Sequence, residues 1–489
     1  MAHIMVVSAG LTGLFNANLA LIQQLKQAGH GITYGSPRDL SRQIQALDIP
    51  FVQLPPWTVP VDRESGSWWG RLRRFKTRQH LAVGDFHMEE FSQILREVAP
   101  DLLLIDIEMH PHIMTAVISR FQVALLCPFL SIWRQAKLPP LHTSIVPGEG
   151  WRGTWWGIQY SWLRYGWQKW RAHQRDRQRK LGCDYLSVLA CYARQIGYPV
   201  HTGLVTRLFA KSWLVPYPHR TLPVLCLHAQ ALEFPHSPPK FVHYVGPMVN
   251  EQRLKASAPL VDSLPRLETF LQNRSGEFLI YCGCSSFTPA SQDFLKTVLA
   301  IASTHTHWDF VIGLGGKSSS GASKNEPPDN KPFESWLEFP PKNTVVMQWA
   351  PQLQLLSQAD CAIINGGAHS IAECIHFGVP MLVYPLTRDD QNGNAARVAY
   401  HGLGLVAQPP QNDAAQFSDS LQKLLTQARY KKNLARMQAT FQTYARNQTA
   451  RRTVEALLAA ENVKAGTPTE APAQPDLNAG VTVQGGQAK

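Results

Sequence analysis

The chain's pattern predicts two doubly wound, Rossmann-like α/β domains facing a cleft. Three observations lead there. Strand-length apolar runs alternate with amphipathic helix-length stretches in both halves. The alternation breaks and restarts across a proline-rich stretch, residues 216–259. And 489 residues exceed what one core ordinarily organises.

The first series opens with a strand at residues 4–8. A turn from Gly10 to Gly13 follows, then a helix at about 16–28 with Leu19, Ile22 and Leu25 on its inner face. Gly29 and Gly31 stop that helix, and a second strand begins at Ile32. Residues 101–106 form another apolar strand ending on Asp106, and 123–127 repeat the pattern. Residues 136–235 are less regular, with 151–180 largely helical. The second series has strands at 278–282, 310–313, 344–347, 361–364 and 381–384, with a helix at about 290–303. Helices fill 415–461. Residues 315–332 read as a flexible loop and 464–489 as a disordered tail. The expected division is an N-terminal domain at 1–245, a linker at 246–265, a C-terminal domain at 266–435, and a helix at 436–463 packing back on the first domain.

Composition narrows the class. An apolar fraction of 44% with 17% charge is globular. Eight cysteines show no paired spacing, so reduced thiols and no metal site are expected. The chain begins directly on an apolar strand and holds no run near the ~20 residues of a membrane helix. A cytoplasmic location is expected. The net charge of +12 gathers in two places: Arg71, Arg73, Arg74, Lys76 and Arg78 beside Trp68 and Trp69, and residues 164–180. No finger spacing, arginine-rich repeat or RNA-binding aromatic motif accompanies it, which argues against nucleic acid.

The richest stretch is 349–391. A short strand runs into Asn365-Gly366-Gly367-Ala368-His369-Ser370, which opens a helix carrying Glu373. Small residues let a backbone approach an anion, and a helix N-terminus offers free N–H groups. Ser370 adds a hydroxyl donor. Glu373 has the paired acceptors a ribose diol needs. Trp349 offers a flat face to a base, with the Gln352 amide nearby, and the pair Asp390-Gln391 can accept from and donate to sugar hydroxyls. Each part alone has an ordinary structural reading as a turn or core residue; the combination points to a nucleotide site. Gly10-x-x-Gly13 is not the dinucleotide fingerprint, so a nicotinamide oxidoreductase is disfavoured.

The stretch resembles the signature box of the family-1 glycosyltransferases. Trp349-Ala350-Pro351-Gln352, Ser370, Glu373, Gly378-Val379-Pro380 and Asp390-Gln391 follow its order at nearly its spacing. The continuation from Asn394 looks like bacterial zeaxanthin glucosyltransferase and macrolide glycosyltransferase members. The resemblance implies a GT-B fold and inverting transfer of a hexosyl group from a UDP-sugar, with no metal or other cofactor. It implies that Trp349 stacks on uracil, Gln352 binds base or ribose, and Glu373 holds the ribose. It further implies that Gly367, Ser370 and Ser286 lie at the diphosphate, and that Asp390 and Gln391 hold the sugar.

Two departures stand out. The family's phosphate-contacting histidine is Asn365 here, and its asparagine four residues on is His369, so a donor remains at both places. The family's general-base histidine after the first strand is Leu14, while the aspartate that orients it matches Asp106. Asp106 itself, Glu108, His110 and His112 are the candidates to replace the base; a catalytically impaired donor-binding subunit is the alternative. Residues 151–180 interleave Trp with Arg and Lys, with Trp155, Ile158 and Trp162 expected on one face. That mixture suits either a peripheral membrane contact or an acceptor pocket. Both favour a large apolar acceptor, a carotenoid or lipid-like alcohol, with a polyketide or phenolic aglycone as the alternative.

Overall fold

The computed structural model describes residues 1–10, 12–56, 69–70, 75–199, 213, 219, 221–251, 264–284, 292–315, 340–386, 389–407 and 414–465. Ser286, the basic positions Arg71, Arg73 and Arg74, most of the stretch 315–332 and the tail from 466 lie outside them.

Two parallel sheets carry the fold. The first contains β1 (His3–Val7), β2 (Gly31–Ser36), β3 (Phe51–Gln53), β4 (Leu102–Asp106), β5 (Val123–Cys127), β6 (Val224–Cys226) and β7 (Val242–Tyr244), in the order β3-β2-β1-β4-β5-β6-β7. The second contains β8 (Phe278–Gly283), β9 (Trp308–Gly313), β10 (Thr344–Met347), β11 (Cys361–Ile364), β12 (Met381–Val383) and β13 (Gly404–Val406), in the order β10-β9-β8-β11-β12-β13. Register is set by the apolar runs: Ile4 pairs with Leu102 and Val7 with Ile105, while Cys361 pairs with Ile280 and Ile364 with Gly283.

Alternation along each strand sends side chains to opposite layers. Met5, Val7, Leu103 and Ile105 face one core, and Ile4, Val6, Leu102 and Leu104 face the other. The second face is covered by the helix Thr12–Gln27 and by Ala450 and Val454 of the C-terminal helix Thr449–Ala465. Gln122 ties that helix down by donating to the Leu457 carbonyl at 2.8 Å. The helix Ala428–Arg446 lies on Ala368–Phe377 and ends with Tyr444 against Gly246, where a Cβ would come within 2.6 Å of the tyrosine.

Several expectations need correction. The proline-rich stretch 216–259, read in part as linker, also carries β6 and β7, which extend the first sheet. Three-residue strands between prolines leave no periodicity to read. The first helix starts at Thr12, ahead of the expected Asn16. In the helix Trp155–Arg179, Ile158 and Trp162 are buried, but Trp155 is exposed and packs edge-on against Trp156. Arg78, one member of the basic cluster at 71–78, is buried.

The sheets are locked together by the helix Gln391–Tyr400. Arg397, fully buried, donates through Nε to Glu233 Oε2 at 2.6 Å and through Nη1 to the Gly393 carbonyl at 2.9 Å. Its guanidinium lies over the Phe234 ring, 4.6 Å from the centroid. Glu233 belongs to the loop between β6 and β7 and also accepts from the Ser131 N–H. Breaking a buried pair strands a charge, which costs about 3–5 kcal/mol. Glu233→Ala and Arg397→Ala are each expected to lower the unfolding free energy by about that amount. The double variant should lose less than the sum, read from denaturant titrations.

Candidate functional site

Parallel α/β sheets bind ligands beyond the carboxyl ends of their strands, where strand order reverses. The first sheet reverses between β1 and β4, the second between β8 and β11. A ligand in the cleft would meet the residues that leave these four strands.

At the second reversal, β11 passes into Asn365-Gly366-Gly367. Gly366 has φ +86°, and a Cβ there would lie 2.9 Å from Val383 Cγ1 and 3.1 Å from the Gln391 carbonyl oxygen. Only glycine fits that turn. Gly367 precedes the helix Ala368–Phe377, and no described residue lies within 4 Å of where its Cβ would be. The helix N-terminus is thus open to an approaching anion. Asn365 is buried, and its Nδ2 has no hydrogen-bond partner among the described residues. A buried donor beside an open helix N-terminus suits a phosphate oxygen.

Gln352 organises the neighbouring groups. Its Oε1 accepts from the Tyr281 hydroxyl at 3.1 Å, and its Nε2 donates to Ser370 Oγ at 3.3 Å and to Glu373 Oε2. Trp349 is half-buried just ahead of it. The structure therefore brings Trp349, Gln352, Ser370 and Glu373 together at the ends of β8, β10 and β11. Asp390 and Gln391 lie close by. Asn394 donates to both Asp390 Oδ2 and the Gly366 carbonyl, each at 2.9 Å, and Gln391 Oε1 accepts from the Leu386 N–H at 2.9 Å. Burial pushes the Asp390 carboxyl above the usual range, opposed by Asn394 and reinforced by Asp389.

His369 faces the other domain. Its Cδ2 lies 3.6 Å from where a Cβ on Gly13 would stand, and its ring is 5.1 Å from that of His228. His228 donates through Nε2 to the Pro128 carbonyl at 2.7 Å. His142 and Tyr165 stack with ring centroids 4.8 Å apart, and Asp389 acts electrostatically on both. Burial, with Lys169 and Arg164, lowers the His142 pKa to about 4. His142, Tyr165 and His228 come from the irregular stretch 136–235, where no motif singles them out.

The first reversal holds a polar cluster under Leu14, which is itself buried. Asp106 is buried, and its Oδ2 accepts from the Ala9 N–H at 2.8 Å. Burial raises its pKa to about 7, against hydrogen bonding from Ser8, the Ala9 N–H and Asn18. The other expected candidates lie elsewhere. His110 Nδ1 is 3.0 Å from His219 Nε2, and His219 Nδ1 is 2.8 Å from the Tyr198 hydroxyl, a buried relay. His112 is buried with its ring edge-on to Phe91, and burial lowers its pKa to about 3. Glu108 alone of the four is exposed.

The two sheets and the facing reversal points define a GT-B architecture. A solved structure described as the glycotransferase of kitacinnamycin shares it, with a TM-score of 0.62 and 18% identity over 94% of this chain and 99% of that one. The family described as UDP-glucoronosyl and UDP-glucosyl transferase matches residues 337–443. The zeaxanthin glucosyltransferase of Pantoea ananas is 34% identical over 97 residues, 20% of this chain and 22% of that one. An uncharacterised UDP-glucosyltransferase of Bacillus subtilis is 23% identical over 198 residues, 40% of this chain and 43% of that one. The chain thus aligns with less than half the length of either curated relative.

The raised Asp106 pKa has a stability consequence. Such a group contributes its full stability below the unfolded-state pKa, near 3.9, and loses it as pH rises through about 7. Asp106→Asn, which keeps an acceptor for the Ala9 N–H, is therefore expected to be stabilising at pH 8. The gain should reach at most about 4 kcal/mol, three pH units at about 1.4 kcal/mol each, and should vanish toward pH 4, measured by denaturation at each pH.

Proposed function

We propose that the chain transfers a hexosyl group, with inversion, from a UDP-sugar to a hydroxyl of a large apolar acceptor. The observation that carries this is the Gln352-centred cluster at the open N-terminus of Ala368–Phe377, with the unpartnered Asn365 amide beside it. In this reading Trp349 stacks on uracil, Gln352 and Glu373 hold the ribose, and Asn365, Gly367, His369, Ser370 and Ser286 bind the diphosphate. Asp390 and Gln391 hold the sugar. Asp106 supports the acceptor side from beneath. No metal enters the proposed chemistry.

A carotenoid or other lipid-like alcohol is the proposed acceptor. Support comes from the relative that acts on zeaxanthin by its name and from the aromatic surface of the helix Trp155–Arg179. Trp156, Tyr160, Leu163 and Trp167 are exposed at spacings of four, three and four, which puts them on one face. Arg164, Lys169, Arg171 and Arg175 are exposed around them, and Arg171 lies over the Trp167 ring at 4.5 Å. Aromatic residues ringed by cations suit the headgroup region of an anionic membrane. No helix among the described residues is long and apolar enough to cross one. Peripheral attachment on the cytoplasmic face is the location that fits.

Leu14 favours one second reading, a donor-binding protein that does not turn over. Mass spectrometry of lipid and pigment extracts, with and without the expressed chain, separates the two. A new glycosylated lipid or pigment is expected; UDP binding with neither transfer nor hydrolysis would favour the silent reading. Glu373→Ala should weaken UDP binding about 10- to 100-fold, the loss of hydrogen bonds to a charged group worth about 1.5–3 kcal/mol, read by calorimetry. Trp156→Ser with Trp167→Ser should abolish co-sedimentation with phosphatidylserine-containing vesicles while leaving UDP affinity unchanged.

A further inference from the structure

An alcohol must lose its proton as it attacks a sugar, and Leu14 cannot accept one. Glu108 stands two residues past β4, in the turn where the Met109 N–H bonds the Asp106 carbonyl at 2.9 Å and the His110 N–H bonds the Glu108 carbonyl at 2.9 Å. That turn leaves β4 at the reversal point of the first sheet, where ligands bind in such sheets. Asp106, His110 and His112, its neighbours in sequence, are all buried, whereas Glu108 is exposed. Across the cleft it lies within electrostatic reach of Asp390 and Asp389.

We propose that Glu108 is the catalytic base of the transfer, removing the acceptor proton opposite the sugar held by Asp390. The proposal rests on the glycosyl-transfer reading above. In the step, the acceptor O–H proton passes to the Glu108 carboxylate and the freed oxygen pair forms the bond to the anomeric carbon. The bond from that carbon to the β-phosphate oxygen breaks on the opposite side, and its electrons leave on UDP. Glu108 then releases the proton to solvent.

The charged groups facing Glu108 are Asp389 and Asp390 across the cleft and Asp106 at the foot of its own turn. Glu108 is open to solvent at its surface, but the protein packed around it still raises its pKa above the ordinary carboxylate range, and Asp390 and Asp389 push the same way. A base with a raised pKa is closer to the operating pH, where proton transfer is most effective. It acts ionised, so kcat/KM should rise with pH through that elevated value.

The test uses the full chain with UDP-glucose, following UDP release with zeaxanthin in detergent micelles and with 4-nitrophenol as acceptors. Glu108→Gln is expected to lower zeaxanthin turnover by about 10²–10⁴-fold and to remove the acidic limb of the pH profile. The loss with 4-nitrophenol should be far smaller, because an acidic phenol ionises without help. UDP affinity should be unchanged, which also shows that the variant is folded. An active wild-type chain whose Glu108→Gln variant keeps its zeaxanthin rate, or loses both acceptors equally, would overturn the base while leaving the transferase reading intact. A wild-type chain that binds UDP but neither transfers nor hydrolyses would overturn the transferase reading, and the base with it.

Discussion

Arg397 and Glu233 meet where no water reaches, and the relation between the two sheets depends on that meeting. Removing two ions from water is costly, and their attraction repays it only with close geometry and further hydrogen bonds. Both conditions hold: the guanidinium also reaches the Gly393 carbonyl and the Phe234 face, and the carboxylate also accepts from the Ser131 N–H. The pair fixes the helix Gln391–Tyr400 against the first domain. At Gly393 the approach is so close that a Cβ would fall 2.1 Å from the Leu141 carbonyl oxygen. Asp390 and Gln391 stand at the start of that helix, so their distance from Glu108 is set by an ion pair several residues away.

The two reversal points carry different chemistry. The second gathers hydrogen-bond donors and an open helix end, suited to a ligand that is already charged. The first is apolar at Leu14 and keeps its acid, Asp106, at a pKa near neutrality. A buried carboxyl beside a cation would be held ionised; without one, burial dominates and the acid gives up its charge. Exchange of a histidine for leucine at position 14 therefore changes Asp106 as well as itself.

The cluster at the second reversal point was legible because its residues are local in sequence. Asn365 to Glu373 span little more than two helical turns, and the Gly366 turn admits no other residue. The paired sheets were legible from apolar runs such as 102–106 and 361–364. What was missed depended on contacts distant in sequence. The strands β6 and β7 are too short to show alternation and are strands only because β5 supplies the edge they join. Trp155 shares a helical face with Ile158 and Trp162, but the first turn of its helix lies beyond the core that buries Trp162. The exposure of Glu108 beside buried Asp106, His110 and His112 comes from how one turn leaves β4, which spacing cannot express.

The helix Gln391–Tyr400 packs on β13 of the second sheet and, through Arg397 and Gly393, also against the first domain. This matters for anyone recombining such proteins. A graft that cuts between the domains near residue 250 would carry Arg397 and Gly393 into a foreign surface lacking Glu233 and the Leu141 carbonyl. The exchangeable unit is the second-sheet half without this helix's outer face, and a working chimera has to rebuild that face to match its new partner.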